Sequence, residues 1–372
     1  MNVIILKNNL KEGLSILSGI KKESSQLPVL KNILLEARDD KVYVTTTDLE
    51  IAVVHGIPAK ILEKGSVTIP FSILLQIVQN ISSERIHLEK EGNVLRVYTD
   101  NYTAKIAITP PDDFPLIPSI EESKKQHIVF DIDTLLNGFS SVMNASQVSD
   151  FRPELSGVLL HMLHTTFRFV ATDSFRLAKK EYIGKKIETS FNDNDSFIIP
   201  LKTVQEVVRI FSNEKGTIRI DCDMHQVLFE TESTTLISRL IEGNFPDYEL
   251  VIPKKFDVKV TCQKEEFISA LKVVSSLSNR LHEVRLEIDE DLKHMKLLSS
   301  SHEVGESEHL LTVKVEGKPL SLSFNWKFLF DGLRHVSSDT VFFGFNNEQK
   351  PSLIRSPEDE TYLYVITSIK SG

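Results

Sequence analysis

The sequence predicts an α+β chain made of three tandem copies of one module, each running helix, three or four strands, helix, three strands. Three observations carry this. An amphipathic helix pattern recurs twice at a near-constant interval, a second helix pattern recurs in step with it, and alternating apolar segments bounded by turn residues lie between them. The 372 residues divide into units of about 124, an ordinary domain length. With 41% apolar and 26% charged residues, each unit can bury a core.

Leu10, Gly13, Leu14 and Leu17 have the spacing of one helix face. The spacing returns at Leu135, Gly138, Phe139 and Val142 and again at Phe267, Ala270, Leu271 and Val274, after shifts of 125 and 132 residues. The second member is always small (Gly13, Gly138, Ala270), which predicts close approach of the helix backbone to a neighbour. Strands follow turn residues at 41–47, 166–172 and 293–299. Pro28-Val29-Leu30 matches Pro153-Glu154-Leu155, and Thr47-Asp48 matches Thr172-Asp173, both at a shift of 125. The second helix reads Leu74, Ile77, Val78, Ile81, then Val204, Val207, Val208, Phe211, then Leu329, Gly332, Leu333, Val336. Pro70 and Pro200 precede its first two copies, where proline suits the first turn, and Asn325 stands as an N-cap before the third. Phe114-Pro115 and Phe245-Pro246 mark the exits of the first two modules, predicting domains at 1–122, 123–253 and 254–372.

Lys and Arg total 43 against 52 Asp and Glu, a net charge of −9, which argues against coating nucleic acid through overall charge but leaves room for a local basic surface. Cys222 and Cys262 are too few and too far apart for a disulfide scaffold or zinc site. The longest dense apolar stretch, 71–78, is far short of a membrane span, and MNVIILKNNLKEG carries no secretory signal pattern, so a soluble cytoplasmic protein is expected. Units this long exceed solenoid repeats, so closure of independent domains is favoured over stacking. Away from their apolar stripes the first helices show Lys11, Ser15 and Ser18, then Thr134, Asn137 and Ser141, then Lys264, Ser269 and Lys272. Over the six helices Lys7, Lys11, Lys202, Arg209, Lys264, Lys272, Lys327 and Arg334 stand against seven acidic residues, a net +1. That contrast fits helices facing a polyanion; it also fits ordinary solvated faces.

Catalytic patterns are weak. Asp48 and Asp173 could form a carboxylate pair, but their equivalent places in two repeats favour a turn role. His161 and His164 fall on opposite faces of a strand, which disfavours a shared metal. Gly184-Lys185-Lys186 resembles the end of a phosphate loop, yet Lys179 stands where the loop needs glycine. No cofactor or metal is expected.

Val170-Ala171-Thr172-Asp173-Ser174-Phe175-Arg176-Leu177-Ala178 resembles the second-domain signature of the bacterial sliding clamps, the beta subunits of DNA polymerase III. Gly243-Asn244-Phe245-Pro246-Asp247-Tyr248 with Val251-Ile252-Pro253 is similar to the family's lead into domain three, and Leu27-Pro28-Val29-Leu30 and Thr46-Thr47-Asp48-Leu49-Glu50 to its first domain. The resemblance implies a non-catalytic processivity factor: a head-to-tail homodimeric ring of six like domains, helices lining the hole and sheets outside. Such a ring encircles duplex DNA and tethers the replicative polymerase. An enzyme using Asp48 or Asp173, and a scaffold that binds peptides but no DNA, are the competing readings.

Polymerase, clamp loader and other partners of this family insert a short motif, a glutamine followed by apolar residues, into a groove between domains two and three. The resemblance carries that groove onto Thr172, Ser174, Phe175, Arg176, Leu177, Pro246, Leu250, Val251, Ser352, Val365, Ile366, Thr367, Ser368, Ile369 and Lys370. The tail departs from the family's apolar–Met/Leu–Pro–apolar–Arg run, and Leu250 stands where some members have arginine. Arg152 matches a position near the lumen and, with the helix residues Lys11, Lys202, Arg209, Lys264, Lys272, Lys327 and Arg334, is expected to face DNA. Ser24 and Ser25 stand where other members carry a basic DNA contact. Ring joints are expected between the edge at 101–109 of one subunit and that at 303–311 of the other. They would involve Asn101, Ala104, Lys105 and Ile106 against Ser276, Leu277, Glu306 and Glu308.

Overall fold

The computed structural model describes residues 1–20, 27–120, 125–164, 166–184 and 188–370. Ser24, Ser25, Lys185 and Lys186 lie outside the described residues. Six α-helices form among them where the two spacings place them: α1 (Lys7–Leu17), α2 (Phe71–Asn80), α3 (Ile132–Val142), α4 (Leu201–Phe211), α5 (Lys264–Ser275) and α6 (Trp326–Leu333). The apolar stripes of α1, α3 and α5 are buried throughout. In the second set Ile77 and Val208 are only half-buried, and Ile81 and Val336 are buried just past the helix ends.

The two glycines among the small second members are required by packing. A Cβ on Gly13 would come within 2.5 Å of the Ile57 side chain, and one on Gly138 within 2.5 Å of the Phe169 ring. Asn325 caps α6 by accepting from the Lys327 N–H at 3.0 Å. Pro70 takes the N-cap position of α2 in extended conformation rather than a place in the first turn, closing the strand Gly65–Pro70. Thr134 and Ser141 do not face solvent as the helix pattern suggested: both are buried, and the Ser141 hydroxyl bonds back to the Gly138 carbonyl at 2.9 Å. Such i−3 back-bonding lets a small hydroxyl sit on a buried helix face.

The chain divides into two compact units that do not follow the repeats. The first comprises Met1–Asp133, Ile187–Phe191 and Gln205–Leu240; the second comprises Thr134–Lys186, Asn192–Val204 and Ile241–Gly372. The first unit holds a 12-stranded antiparallel sheet that runs from Thr103–Ala107 to Gln126–Asp131. Within it Ile51–Glu63 of the first repeat pairs with Thr234–Arg239, the last strand of the second, with Ile51 opposite Ser238.

The second unit holds a nine-stranded sheet and a four-stranded sheet. In the nine-stranded sheet Arg176–Ile183 pairs with Tyr362–Ile366, with Arg176 opposite Ile366. Ile51 and Arg176 each follow their repeat's Asp by three residues, so one joint geometry is used twice. Phe169 and Tyr364 point to the face on which Gly138 and Gly332 pack, while Val170 and Val365 point to the other.

Candidate binding cleft and open sheet edges

The cleft starts from a hairpin. Asp173 Oδ1 accepts from the backbone N–H groups of Phe175 (2.9 Å) and Arg176 (3.0 Å), and Thr172 Oγ1 accepts from that of Ser174 (3.2 Å). Asp48 caps the matching turn of the first repeat in the same way, through Glu50 and Ile51. Both aspartates are therefore turn-formers. The turn holds Ser174 at φ +78°, and Leu49 in its place in the first repeat at +76°. That left-handed conformation costs an L-residue about 1 kcal/mol.

Against this hairpin lie the segment at 246–251 and the end of strand Tyr362–Ile366. Together they enclose a cleft of about 340 Å³. Thr172, Ser174, Phe175, Arg176, Leu177, Pro246, Val251, Val365 and Thr367 line it, as do Arg152, Leu155, Asp247, Tyr248 and Pro351. Leu177, Val365 and Tyr248 belong to a buried cluster with Leu159, Val170, Ile198 and Leu353. Phe175 and Val251 leave 63% and 49% of their surface exposed, an apolar rim that can cover a ligand.

Both cleft arginines are matched by acids. Arg176 donates through Nε to Asp173 (3.0 Å) and through Nη1 to Asp331 on α6 (2.6 Å), and its guanidinium stacks 4.0 Å from the Phe328 ring. Burial opposes its charge, yet Tyr364, Asp173 and Asp331 together hold its pKa above the ordinary arginine value. Arg152 donates to Glu154 (3.1 Å) and to Ser174 Oγ (3.0 Å). The cleft thus presents apolar surface more than free charge.

Other expected cleft residues fall elsewhere. Leu250 is 82% exposed and does not line it. Ser352 and Ile366 sit opposite each other in neighbouring strands and are buried. Ser368 Oγ donates to the Glu348 carbonyl (3.1 Å), the Ile369 N–H donates to the Ser323 carbonyl (2.7 Å), and Lys370 is exposed beyond them. Leu155, Asp247 and Tyr248 were missed although the repeat and the second signature contain them; Pro351 had no sequence signal.

Among the described residues, two of the strands that stand at sheet edges matter for the ring joints expected from the sequence. Thr103–Ala107 terminates the 12-stranded sheet and Gly305–Thr312 the four-stranded one. On the first, Ile106 is buried, Ala104 half-buried and Lys105 exposed, with its ammonium 3.4 Å from Glu91; Asn101 accepts from Thr99 Oγ1 at 3.1 Å. On the second, Glu306 and Glu308 are exposed and help line a polar hollow of about 360 Å³ with Glu283 and Arg285. Ser276, exposed, and Leu277, half-buried, follow the end of α5.

Residues 1–118, 131–247 and 249–370 match in turn the N-terminal, central and C-terminal domains of the DNA polymerase III beta subunit. The chain belongs to that family. Beta sliding clamps of Chlamydia muridarum and Staphylococcus aureus are each 28% identical to it over 357 residues, covering 95% and 93% of this chain and the same shares of theirs. The DNA polymerase III beta subunits of Thermotoga maritima and Pseudomonas aeruginosa superpose with TM-scores of 0.88 and 0.92 at 28% and 26% identity, each covering 100% of both chains. Its function is that of a DNA sliding clamp, a subunit distinct from the catalytic polymerase.

Within this clamp the expected DNA-facing residues divide. Lys11 is exposed and Lys202 half-buried. Lys272 and Arg334 flank the Phe330 ring at 5.4 and 5.7 Å, Lys264 donates to the Val336 carbonyl (3.1 Å), and Lys327 Nζ lies 3.0 Å from His282 Nε2. The two remaining arginines are engaged in other contacts. Arg152 is drawn into the cleft wall. Arg209 donates to the Ile16 carbonyl at the C-terminal end of α1 (2.6 Å) and to Glu206 (2.6 Å), so its charge is engaged within the first unit.

The remaining chemical candidates are structural. His161 Nδ1 lies 3.0 Å from the Tyr248 hydroxyl and His164 Nδ1 3.3 Å from Asp193. Burial pushes the Cys222 and Cys262 thiols up to about 12. Lys179 is buried beside Glu181 and Glu249. Among the described residues no group of His, Cys, Asp and Glu is arranged to hold a metal ion, and no helix is long and apolar enough to cross a membrane.

Proposed function

We propose that two copies of this chain, each of three domains meeting near residues 122 and 253, close head to tail into a ring around duplex DNA. The repeated joint carries this reading. Two modules hand their fourth strand to the last strand of the next module; the third module's fourth strand, Gly305–Thr312, and the first module's last strand, Thr103–Ala107, are left at sheet edges. A second copy supplies what each edge lacks. Aligning the modules at their helix starts and carrying the alignment through each strand pair gives one register from either joint. It sets Lys105 opposite Glu306 of the other copy, Ala104 opposite Ser307 and Thr103 opposite Glu308.

Enclosure then replaces affinity. Exposed lysines and arginines of the helices touch the phosphate backbone weakly and without reading bases, so the ring slides, in the cytoplasm on the nucleoid. The cleft captures a short partner motif, a glutamine followed by apolar residues, from the polymerase, the loader and other replication or repair proteins. Cysteines placed at 104 and 307 test the closure. Directly opposed residues have Cβ atoms ~4.5–5.5 Å apart, within disulfide reach. Mild oxidation of Ala104→Cys/Ser307→Cys should give a doubly linked dimer; monomer only, or open-ended multimers, would refute ring closure in this register.

A further inference from the structure

The segment carrying Tyr248 crosses the nine-stranded sheet on the face opposite Gly138 and Gly332, and Tyr248 has two environments there. Its ring packs with Leu177 and Val365 and lines the cleft. Its hydroxyl lies in a charge network, 3.0 Å from His161 Nδ1 and 3.4 Å from Arg168 Nη1. Arg168 is fixed in turn by Glu249 (3.0 Å) and by Glu181 (3.1 Å), and buried Lys179 sits between the same two carboxylates at 3.6 and 3.5 Å. His161, Arg168 and Glu181 stand opposite one another across three adjacent strands, so the sheet presets the row that receives the phenol.

We propose that His161 and Arg168 are positioning residues of the cleft: by holding the Tyr248 hydroxyl they fix the ring that forms one wall, and so set affinity for an apolar peptide. The inference rests on the peptide-binding reading of the cleft. Arg168 can only donate, so it takes a lone pair of the phenol oxygen. The phenol's proton is then free for the Nδ1 of a neutral imidazole. Burial and the nearby Arg168 keep His161 neutral below its ordinary range, opposed by Asp193, Glu249 and a hydrogen bond to Asn194. Protonation would remove the acceptor and set another cation beside Arg168 and Lys179.

The test is fluorescence anisotropy with a labelled peptide, Gln-Leu-Ala-Leu-Phe, on the full chain. Tyr248→Phe keeps the ring and deletes the hydroxyl. It and His161→Leu should each weaken binding about three- to tenfold, as expected for losing one or two hydrogen bonds. The double variant should be no worse than the poorer single, and the wild-type affinity should hold through the ordinary histidine range and fall only at lower pH, while Tyr248→Phe stays flat. Additive losses, no loss, or equal pH profiles would overturn the positioning role, provided that Val251→Lys in the cleft rim abolishes binding. Binding that survives Val251→Lys would overturn the peptide reading itself and this inference with it.

Discussion

Reversing the charge of Glu306 gives the sharpest test of how two copies meet. In the register that both internal joints imply, Glu306 faces Lys105 of the other copy, and Arg96 stands beside Lys105 on its own sheet. Lys105 is 62% exposed and lies 3.4 Å from Glu91, which competes for it, so the new pair belongs with surface ion pairs worth about 0.2–1 kcal/mol. Glu306→Lys removes that attraction and adds a repulsion of similar size, about 0.4–2 kcal/mol per joint. A head-to-tail ring has two such joints, so the dimer should weaken by roughly 0.8–4 kcal/mol, about fourfold to a thousandfold in Kd. Sedimentation equilibrium over a concentration series reads this directly. Lys105→Glu should behave alike, the double swap should recover most of the loss, and the single-variant defects should shrink at 0.5 M salt, where screening is about 5 Å or less. Two single reversals that leave Kd untouched, or a double swap that sums their losses, would refute the register.

Other outcomes follow from the same structure. Gly138→Ala forces a methyl to within 2.5 Å of the Phe169 ring and should cost about 1–3 kcal/mol in chemical denaturation; an unchanged midpoint would contradict the close approach. Burial, with Lys41 and Arg334 respectively, pushes the pKa of His55 and His335 down to about 4 from 6.5. The unfolded chain therefore takes up these protons first, so stability holds above pH ~6.5 and falls towards pH 4, by roughly 2 kcal/mol per site at pH 5. Equal stability at pH 7.5 and pH 5 would contradict this. The small Ala104 on the open edge predicts a weak dimer that light scattering finds dissociated at nanomolar concentration; an intact dimer there would count against it. Thr367, the one residue of the unusual tail that lines the cleft, predicts that the cleft prefers its own polymerase's motif, which equal affinities for foreign motifs would disprove.

Much of the fold was legible because burial imposes periodicity. A helix stripe with a small residue at its second position was enough to place α1, α3 and α5, and the recurrence of Thr-Asp at the hairpins identified Asp48 and Asp173 as turn-formers. The compact units were not legible, because pairing of Ile51–Glu63 with Thr234–Arg239 joins strands remote in sequence, which no local spacing encodes. Only part of the expected residue set lines the cleft, for a reason of geometry. Successive residues of a strand face opposite sides, so Val365 lines the cleft while Ile366, and Ser352 opposite it, are buried away from it. Leu250 lies outside for lack of any such constraint. Arg209 carried the right charge for a DNA contact, but only the structure brings it against the α1 carbonyls.

Retention on DNA of defined topology tests enclosure most directly. Labelled protein, loaded onto nicked circular duplex by its own loader, should stay bound through gel filtration in high salt and be released within minutes when a restriction enzyme linearises the circle. Equal retention on circle and line, or no retention on either, would contradict a ring that holds DNA by surrounding it.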